Sequence, residues 1–460
     1  MYSLRRGRIS DSLEKGVREA ISRKSTMAKK ESVWIPNLGA KGWGITIVCL
    51  FYFFFYTYWN GITNTLLGIL TGMYGWSQNS MSFIITIGGW ISLIAIIFFG
   101  IMGKKSGAKK TAVVGLIGTA ISFAILAVMQ SFVMFAIGVI LFYITMVAYG
   151  VIGTGLLGSN WFPRKKGIFM GFATCGMTLA SASLNPILLG FVGSPAGLPG
   201  FFWFCAAICV VLAIVTGAFV KNNPEEAGAY PDNDRTVTRE ELNAEFAKAE
   251  EYKKNSPWTL GKVMRTPQTW LIGIGWGLTM MVGGGIIALL VPAYMAMGHS
   301  QMFGVGLLSG LWWAGLLGNY LIGIIDLKFG TKFATFVIVI IEILSCLGAF
   351  FAGTDPAVAG VCAGCFMFAL SGNSNVCMSM TTTVFGRQDF DNAWTPIQVM
   401  YNIFNFAGVS VMSVIGTSFG MPTIFLGGAI ITAIAIIPIA LTSSKQIASH
   451  VDEKAPAAQA

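Results

Sequence analysis

From residue 43 onward, long apolar runs alternate with short polar connections. Twelve of these runs approach or exceed the roughly 20 residues that carry a helix across a bilayer: 43–70, 81–101, 111–130, 132–157, 168–192, 199–219, 269–296, 303–325, 333–352, 357–383, 393–418 and 421–442. They predict an all-α membrane protein with about twelve transmembrane helices, here spans 1 to 12. The polar positions inside the runs form stripes. In "TYWNGITNT" and the residues before it, Tyr52, Tyr56, Trp59, Asn60, Thr63 and Asn64 step by 4, 3, 1, 3 and 1, which places them on one helical face. Trp394, Gln398, Tyr401, Asn402 and Asn405 do the same in span 11, and span 10 carries Gly372, Asn373 and Asn375. Span 7 has Trp276, Thr279 and Met280 ahead of Gly283 to Gly285, where the helix can bend. Tyr149 in span 4 and Trp312 in span 8 complete the candidate set for binding a solute.

A polar stripe is costly against lipid, so each must face protein or a water-filled cavity. Hydrogen bonding between helices, about 0.6 to 2 kcal/mol, accounts for one isolated asparagine. Several stripes converging on one interface favour a solute site.

Composition narrows the class. The 460 residues are 55% hydrophobic and 11% charged, with mean hydropathy +0.70, whereas soluble domains carry about 25% charged residues. Between residues 43 and 443 every Lys and Arg falls in alternate connections: Lys104 to Lys110, Arg164 to Lys166, Lys221 to Arg265, Lys328 with Lys332, and Arg387. Cation-rich short loops stay cytoplasmic, so both termini are expected in the cytoplasm and the chain in the cytoplasmic (inner) membrane. The net charge of +10 is thus a topology signal, and no nucleic-acid partner is expected. Residues 1–42 hold ten Lys and Arg but no long apolar stretch, so no cleavable signal peptide is expected. Ile9, Leu13, Val17 and Ile21 fit a basic helix on the inner leaflet, with a disordered basic tail as the alternative. Met27 offers a second possible start.

Other signals carry little chemistry. Cys362 and Cys365 form a C-x-x-C inside an apolar helix, without a second pair and with two histidines in the chain, so neither metal nor cofactor is expected. Gly153, Gly155 and Gly158 spell G-x-G-x-x-G at the end of a span and follow no strand, which suits close helix packing. There is no phosphate-binding loop of the G-x-x-x-x-G-K-[ST] type and no catalytic constellation, so an enzyme is not expected.

The chain also repeats. "GIMGKKSGAK" at 100–109 matches "GIIDLKFGTK" at 323–332, an offset of 323 − 100 = 223. Phe162 and Arg164 match Phe385 and Arg387 in the same register. The expected organisation is a basic segment 1–42, a six-helix half 43–219, a linker 220–268, a second half 269–443 and a tail 444–460. "TREELNAEFAKAEEY" in the linker opens with Thr238 and Glu241 at capping-box spacing and reads as a cytoplasmic surface helix.

The repeated G-x-x-x-x-K-x-G-x-K between spans 2 and 3 and between spans 8 and 9 resembles the signature loop of the major facilitator superfamily. "NWFPRKKGIFMGFATCG" and "NNPEEAGAYPDND" resemble its oxalate/formate-exchanger and monocarboxylate-porter branches. The resemblance implies two six-helix halves around a midplane solute site, lined by spans 1, 4, 7 and 10 with parts of 2, 5, 8 and 11. It also implies cytoplasmic gating contacts, for which Lys105, Asp326, Lys328, Arg164 and Arg387 are the candidates; ordinary loop charges are the alternative. The acid usual at the fifth signature position is replaced by Lys104 in one copy and Leu327 in the other, with Asp326 one residue earlier.

Those branches generally place an Arg in span 8 and a Lys in span 1 or 11. Here no Lys or Arg lies within any span, so the anion clamp is absent and a small dicarboxylate is disfavoured. Glu342 is the one acid deep in a span, a candidate for proton coupling or a neutral packed side chain on a peripheral helix. The expected function is a secondary transporter, monomeric, moving a small organic solute by alternating access. The solute is a monocarboxylate, zwitterion or amphipathic organic acid, taken up by symport, with a co-transported proton as one coupling partner, or by exchange. Efflux of hydrophobic compounds and a non-transporting transceptor of the same fold are the alternatives.

Overall fold

A computed structural model describes residues 37–163, 165–234, 240, 243–244, 247, 256, 258–386 and 389–447, without the side chains of residues 60, 64, 166, 167, 178 and 391. The segment read as a basic helix or tail, most of the stretch expected to form the linker's surface helix, and residues beyond 447 lie outside the described residues.

Span 1 is two helical pieces, Gly39–Tyr56 and Tyr58–Tyr74, separated at Thr57. The second piece holds the polar stretch seen in the sequence. Spans 2 and 3 form a 50-residue helical run, Gln78–Ala127. At 1.5 Å per residue it measures about 75 Å, more than twice the roughly 30 Å hydrocarbon core. It breaks at Gly107, whose φ of 80° is open to glycine and strained for other residues. Span 4 is Phe132–Trp161, with a π-helical stretch at Ala148–Gly153. Spans 5 and 6 are Lys166–Val192 and Gly197–Phe219. Spans 7 to 12 are Pro267–Ala296, Gln301–Phe329, Thr331–Ala352, Pro356–Phe385, Phe390–Phe419 and Thr423–Leu441. Eleven described helices are long and apolar enough to cross, and the 50-residue run contains two crossings, giving 11 + 1 = 12. The twelve-span expectation holds.

Helix starts are fixed locally. Ser131, Ser300 and Asp355 accept backbone N–H groups at the starts of spans 4, 8 and 10, satisfying donors that a helix leaves free. Left-handed glycines recur at the repeat offset: Gly75 with Gly298, Gly107 with Gly330, and Gly197 with Gly420.

Spans 1 to 6 pack around one core, whose centre is aromatic. The Tyr58 ring lies 4.6 Å from Phe123, 5.6 Å from Phe142 and 6.1 Å from Phe201, all fully buried. Spans 7 to 12 pack around two adjoining clusters rich in Ala, Ile, Val and Leu. Both described ends of the chain lie on one face, termed the near side; the far side carries the turns at Gly75, Gly193, Gly298, Gly353 and Gly420. The linker's first residues clasp the near side of the first bundle. Asn222 Oδ1 accepts Lys109 N–H at 2.9 Å, Trp161 Nε1 donates to Lys221 O at 3.0 Å, and Asp232 Oδ1 accepts Lys165 N–H at 2.9 Å. Its last residues hold the second bundle, where Ser256 Oγ donates to Asp389 and Trp258 packs edge-on against Phe385.

Candidate functional site

The two bundles meet along two seams. Between spans 2 and 11, Asn79 Nδ2 donates to Thr417 Oγ1 at 2.8 Å, and Ser413 Oγ donates to Asn79 Oδ1 at 2.8 Å. Further along, Thr86 Oγ1 donates to Phe406 O at 2.8 Å and lies 2.7 Å from Ser410 Oγ; Trp90 Nε1 donates to Ile403 O at 3.1 Å. The Phe406 ring occupies the space left by Gly89, where a Cβ would stand 2.3 Å from Phe406 Cγ. Between spans 5 and 8, Ser309 Oγ donates to Ala182 O at 3.2 Å. These residues occupy the far half of their spans or reach the middle, so hydrogen bonds and ring packing close the far side.

Around the middle of the spans the bundles part to leave a cavity of about 480 Å³. Span 1 contributes Thr63, span 4 Tyr143, and span 5 Thr174, Cys175 and Met177. Span 7 adds Met280 and Gly284, span 8 Trp312 and Asn319, span 10 Met367, Ser371 and Ser374, and span 11 Asn405. Among the described residues this wall holds no Asp, Glu, Lys, Arg or His. It offers hydroxyls and amides over thioether, aromatic and aliphatic surface, which binds through shape and neutral hydrogen bonds. A second cavity, about 440 Å³, lies on the near side between the start of span 1 and linker residues Gly228 to Asn233, outside the bundle interface.

Of the residues read from the sequence, Trp312 reaches this wall, as do the stripe members Thr63, Met280, Gly284 and Asn405. Trp59 turns the other way, edge-on to Phe135 and Phe142 and 2% exposed, inside the first bundle. Tyr149 is buried there too, 5.9 Å from the Tyr52 ring, and Tyr56 packs over the bare Gly150 of the π-helical stretch. Trp276 and Thr279 are buried between spans 7 and 10, where Asn373 Nδ2 donates to Thr279 Oγ1 at 2.9 Å. Tyr401 lies one hydrogen bond behind the wall, its hydroxyl 2.8 Å from Ser374 Oγ. Asn375 Nδ2 donates to the wall residue Asn319 at 3.0 Å. Asn402 Nδ2 donates to Gln398 O at 2.9 Å, and the Gln398 side chain is exposed. The side chains of Asn60 and Asn64 lie outside the described residues, as do Arg164 and Arg387. Lys105 and Lys328 are exposed on the near side and Asp326 is half-buried. Glu342 is fully buried on span 9, and both carboxyl oxygens lack a partner among the described residues. It is not on the cavity wall.

Sequence reasoning missed Tyr143, Thr174, Cys175, Met177, Ser371 and Ser374. The signal for span 5 was the "GFATCGMT" stretch, small residues on a helix beside the interface.

A family model described as Major Facilitator Superfamily matches residues 48–387. No curated protein matches the chain. Among solved structures, the chain is similar to a bacterial homologue of the human lysosomal transporter Spinster in its inward-facing, occupied conformation, with a TM-score of 0.68 at 14% identity, covering 86% of this chain and 95% of that one. The inward-facing, unoccupied form of that homologue gives a TM-score of 0.65 at 13% identity over the same shares. At such identity the likeness concerns the fold.

Proposed function

The chain belongs to the Major Facilitator Superfamily, and from that premise we propose that it moves a small organic solute across the cytoplasmic membrane, by uptake through symport or exchange. The solute is a monocarboxylate, a zwitterion or an amphipathic organic acid. The observation that carries this reading is the uncharged cavity at mid-span between the bundles, beside far seams that are closed; we take its mouth to be on the near side. In this reading the near side is cytoplasmic, and halves 43–219 and 269–443 rock about the cavity so that each seam opens in turn. Lys105, Asp326 and Lys328, together with Arg164 and Arg387, would meet across the near side when it closes. Efflux of hydrophobic compounds is the second reading, favoured by the adaptable thioethers of Met177, Met280 and Met367 on the wall.

The test is counterflow into proteoliposomes, with monocarboxylates, betaines, sterol-like acids and a hydrophobic cation as the panel. At least one of the first three classes should exchange, and Gly284→Leu, which fills the cavity, should abolish it. Exchange of the hydrophobic cation alone would move the assignment to efflux, and exchange of no solute would favour a transceptor.

A further inference from the structure

The polar groups on the cavity wall are not equally engaged. Ser374 is tied to Tyr401, and Asn319 receives the Asn375 amide. Asn405 differs: among the described residues its amide makes no hydrogen bond, although it is half-buried and lies at the middle of span 11. Its Oδ1 sits against Gly284, where a Cβ would stand 2.9 Å away, so the bare glycine leaves the amide its place. A free primary amide presents N–H donors beside a C=O acceptor. An undissociated carboxyl group is its complement, donating one O–H and accepting at its C=O. A carboxylate only accepts, and its charge at this depth would find no cation, since the described wall carries no Lys or Arg and those in the spans sit at their near ends.

We propose that the cavity takes its solute as an undissociated monocarboxylic acid, the carboxyl group paired with the Asn405 amide and the apolar body against Met280, Trp312 and Met367. This rests on the transport reading above and specifies the form in which the solute crosses. The carboxylate takes a proton from water at one mouth, crosses as the neutral acid and returns that proton to water at the other. One proton moves with each solute and no net charge crosses. The titratable side chains on the described wall are Tyr143 from span 4 and Cys175 from span 5; spans 1, 2, 7, 8, 10 and 11 contribute none. No protein acid is needed for the coupling, and Glu342 is off the route.

Cys175 is exposed on the wall and gives a readout that does not require the natural solute. Alkylation of Cys175 by N-ethylmaleimide in the purified full-length protein is followed by peptide mapping. The rate with ligand is divided by the rate without it at each pH, which cancels ionisation of the thiol. The probes are hexanoic, octanoic and benzoic acids, each paired with its primary amide. The expected result is that at least one acid protects, with apparent affinity falling about tenfold per pH unit above that acid's own pKa. Its amide should protect equally at every pH, and Asn405→Leu should weaken both at least tenfold while Cys175 stays reactive. Acid protection that holds constant above the acid's pKa would mean the anion binds and would overturn the proposal. So would a panel in which neither acids nor amides protect; if a betaine then protected and exchanged, transport would stand and the acid assignment would fall. A Cys175 that never reacts would remove the open cavity on which both readings depend.

Discussion

Asn373 and Asn405 are chemically identical, yet their surroundings assign them different work. Asn373 is fully buried, bonded to Thr279 and within 3.5 Å of Trp276 O, so it ties span 10 to span 7. Asn373→Ala should therefore lower the melting temperature of the detergent-purified protein, with a loss of about 1–3 kcal/mol from the stranded polar partners. Asn405→Ala removes an unengaged amide and should leave the melting temperature nearly unchanged while reducing ligand protection of Cys175. Equal melting temperatures for the two variants would show that Asn373 is not a structural tie. Glu342 poses a sharper question, because its buried carboxyl has no hydrogen-bond partner among the described residues and lies off the cavity wall. An amide of the same size should serve there as well. Glu342→Gln is expected to keep the wild-type pH dependence of uptake in proteoliposomes with and without an imposed proton gradient. Loss of gradient-driven accumulation with exchange preserved would make Glu342 the coupling acid.

Among the elements, the seam between spans 2 and 11 is the most explicit conformational device. Asn79 bonds both Ser413 and Thr417, and Thr86 bonds the next turn of the same helix, so the two helices are matched over successive turns. Replacing Asn79 and Thr417 by cysteines puts two thiols where the present side chains touch. Oxidation should then lock the far side shut, stopping exchange until reductant is added while Cys175 remains open to alkylation from the near side. Exchange that continues through the cross-link would show that this seam does not open during the cycle. The existence and order of the spans were legible in the sequence, because runs of apolar residues answer directly to bilayer thickness. The direction of each stripe was less so. Periodicity identifies one face of a helix but not the neighbour it meets, and the large aromatics Trp59 and Trp276 turned to the bundle interiors, where they bury most surface. The π-helical stretch adds a residue to one turn of span 4 and rotates the remainder of that helix, a shift invisible to simple 3.6-residue counting. Span 5 reached the cavity through Thr174, Cys175 and Met177, residue types that read equally well as helix packing.

At the scale of the molecule, the near and far sides differ in charge as well as in closure. The near-side turns and the linker carry Lys104, Lys105, Lys109, Lys110, Lys165, Lys221, Lys262, Arg265, Lys328 and Lys332, whereas the far-side turns carry no Lys or Arg. Cations flanking apolar spans are retained in the cytoplasm during insertion, so the near side should be cytoplasmic. The matched left-handed glycines bear on how to test this. Gly298 has φ of 95°, where a cysteine would be strained, so the far side is better probed at Ser80 and Thr354, both exposed and without that constraint. In a background lacking the exposed Cys175 and Cys365, cysteines at Ser80 and Thr354 should react with an impermeant maleimide on intact cells. Cysteines at Ser106 beside Gly107 and at Thr259 after the linker should react only once the membrane is opened. If Ser106→Cys and Thr259→Cys label on intact cells while the far-side pair does not, the orientation is reversed. The cavity would then open outward in the described state, and the far-side seam would be a cytoplasmic gate. Labelling of one near-side and one far-side position together would instead remove an odd number of crossings from the chain and with it the twelve-span path.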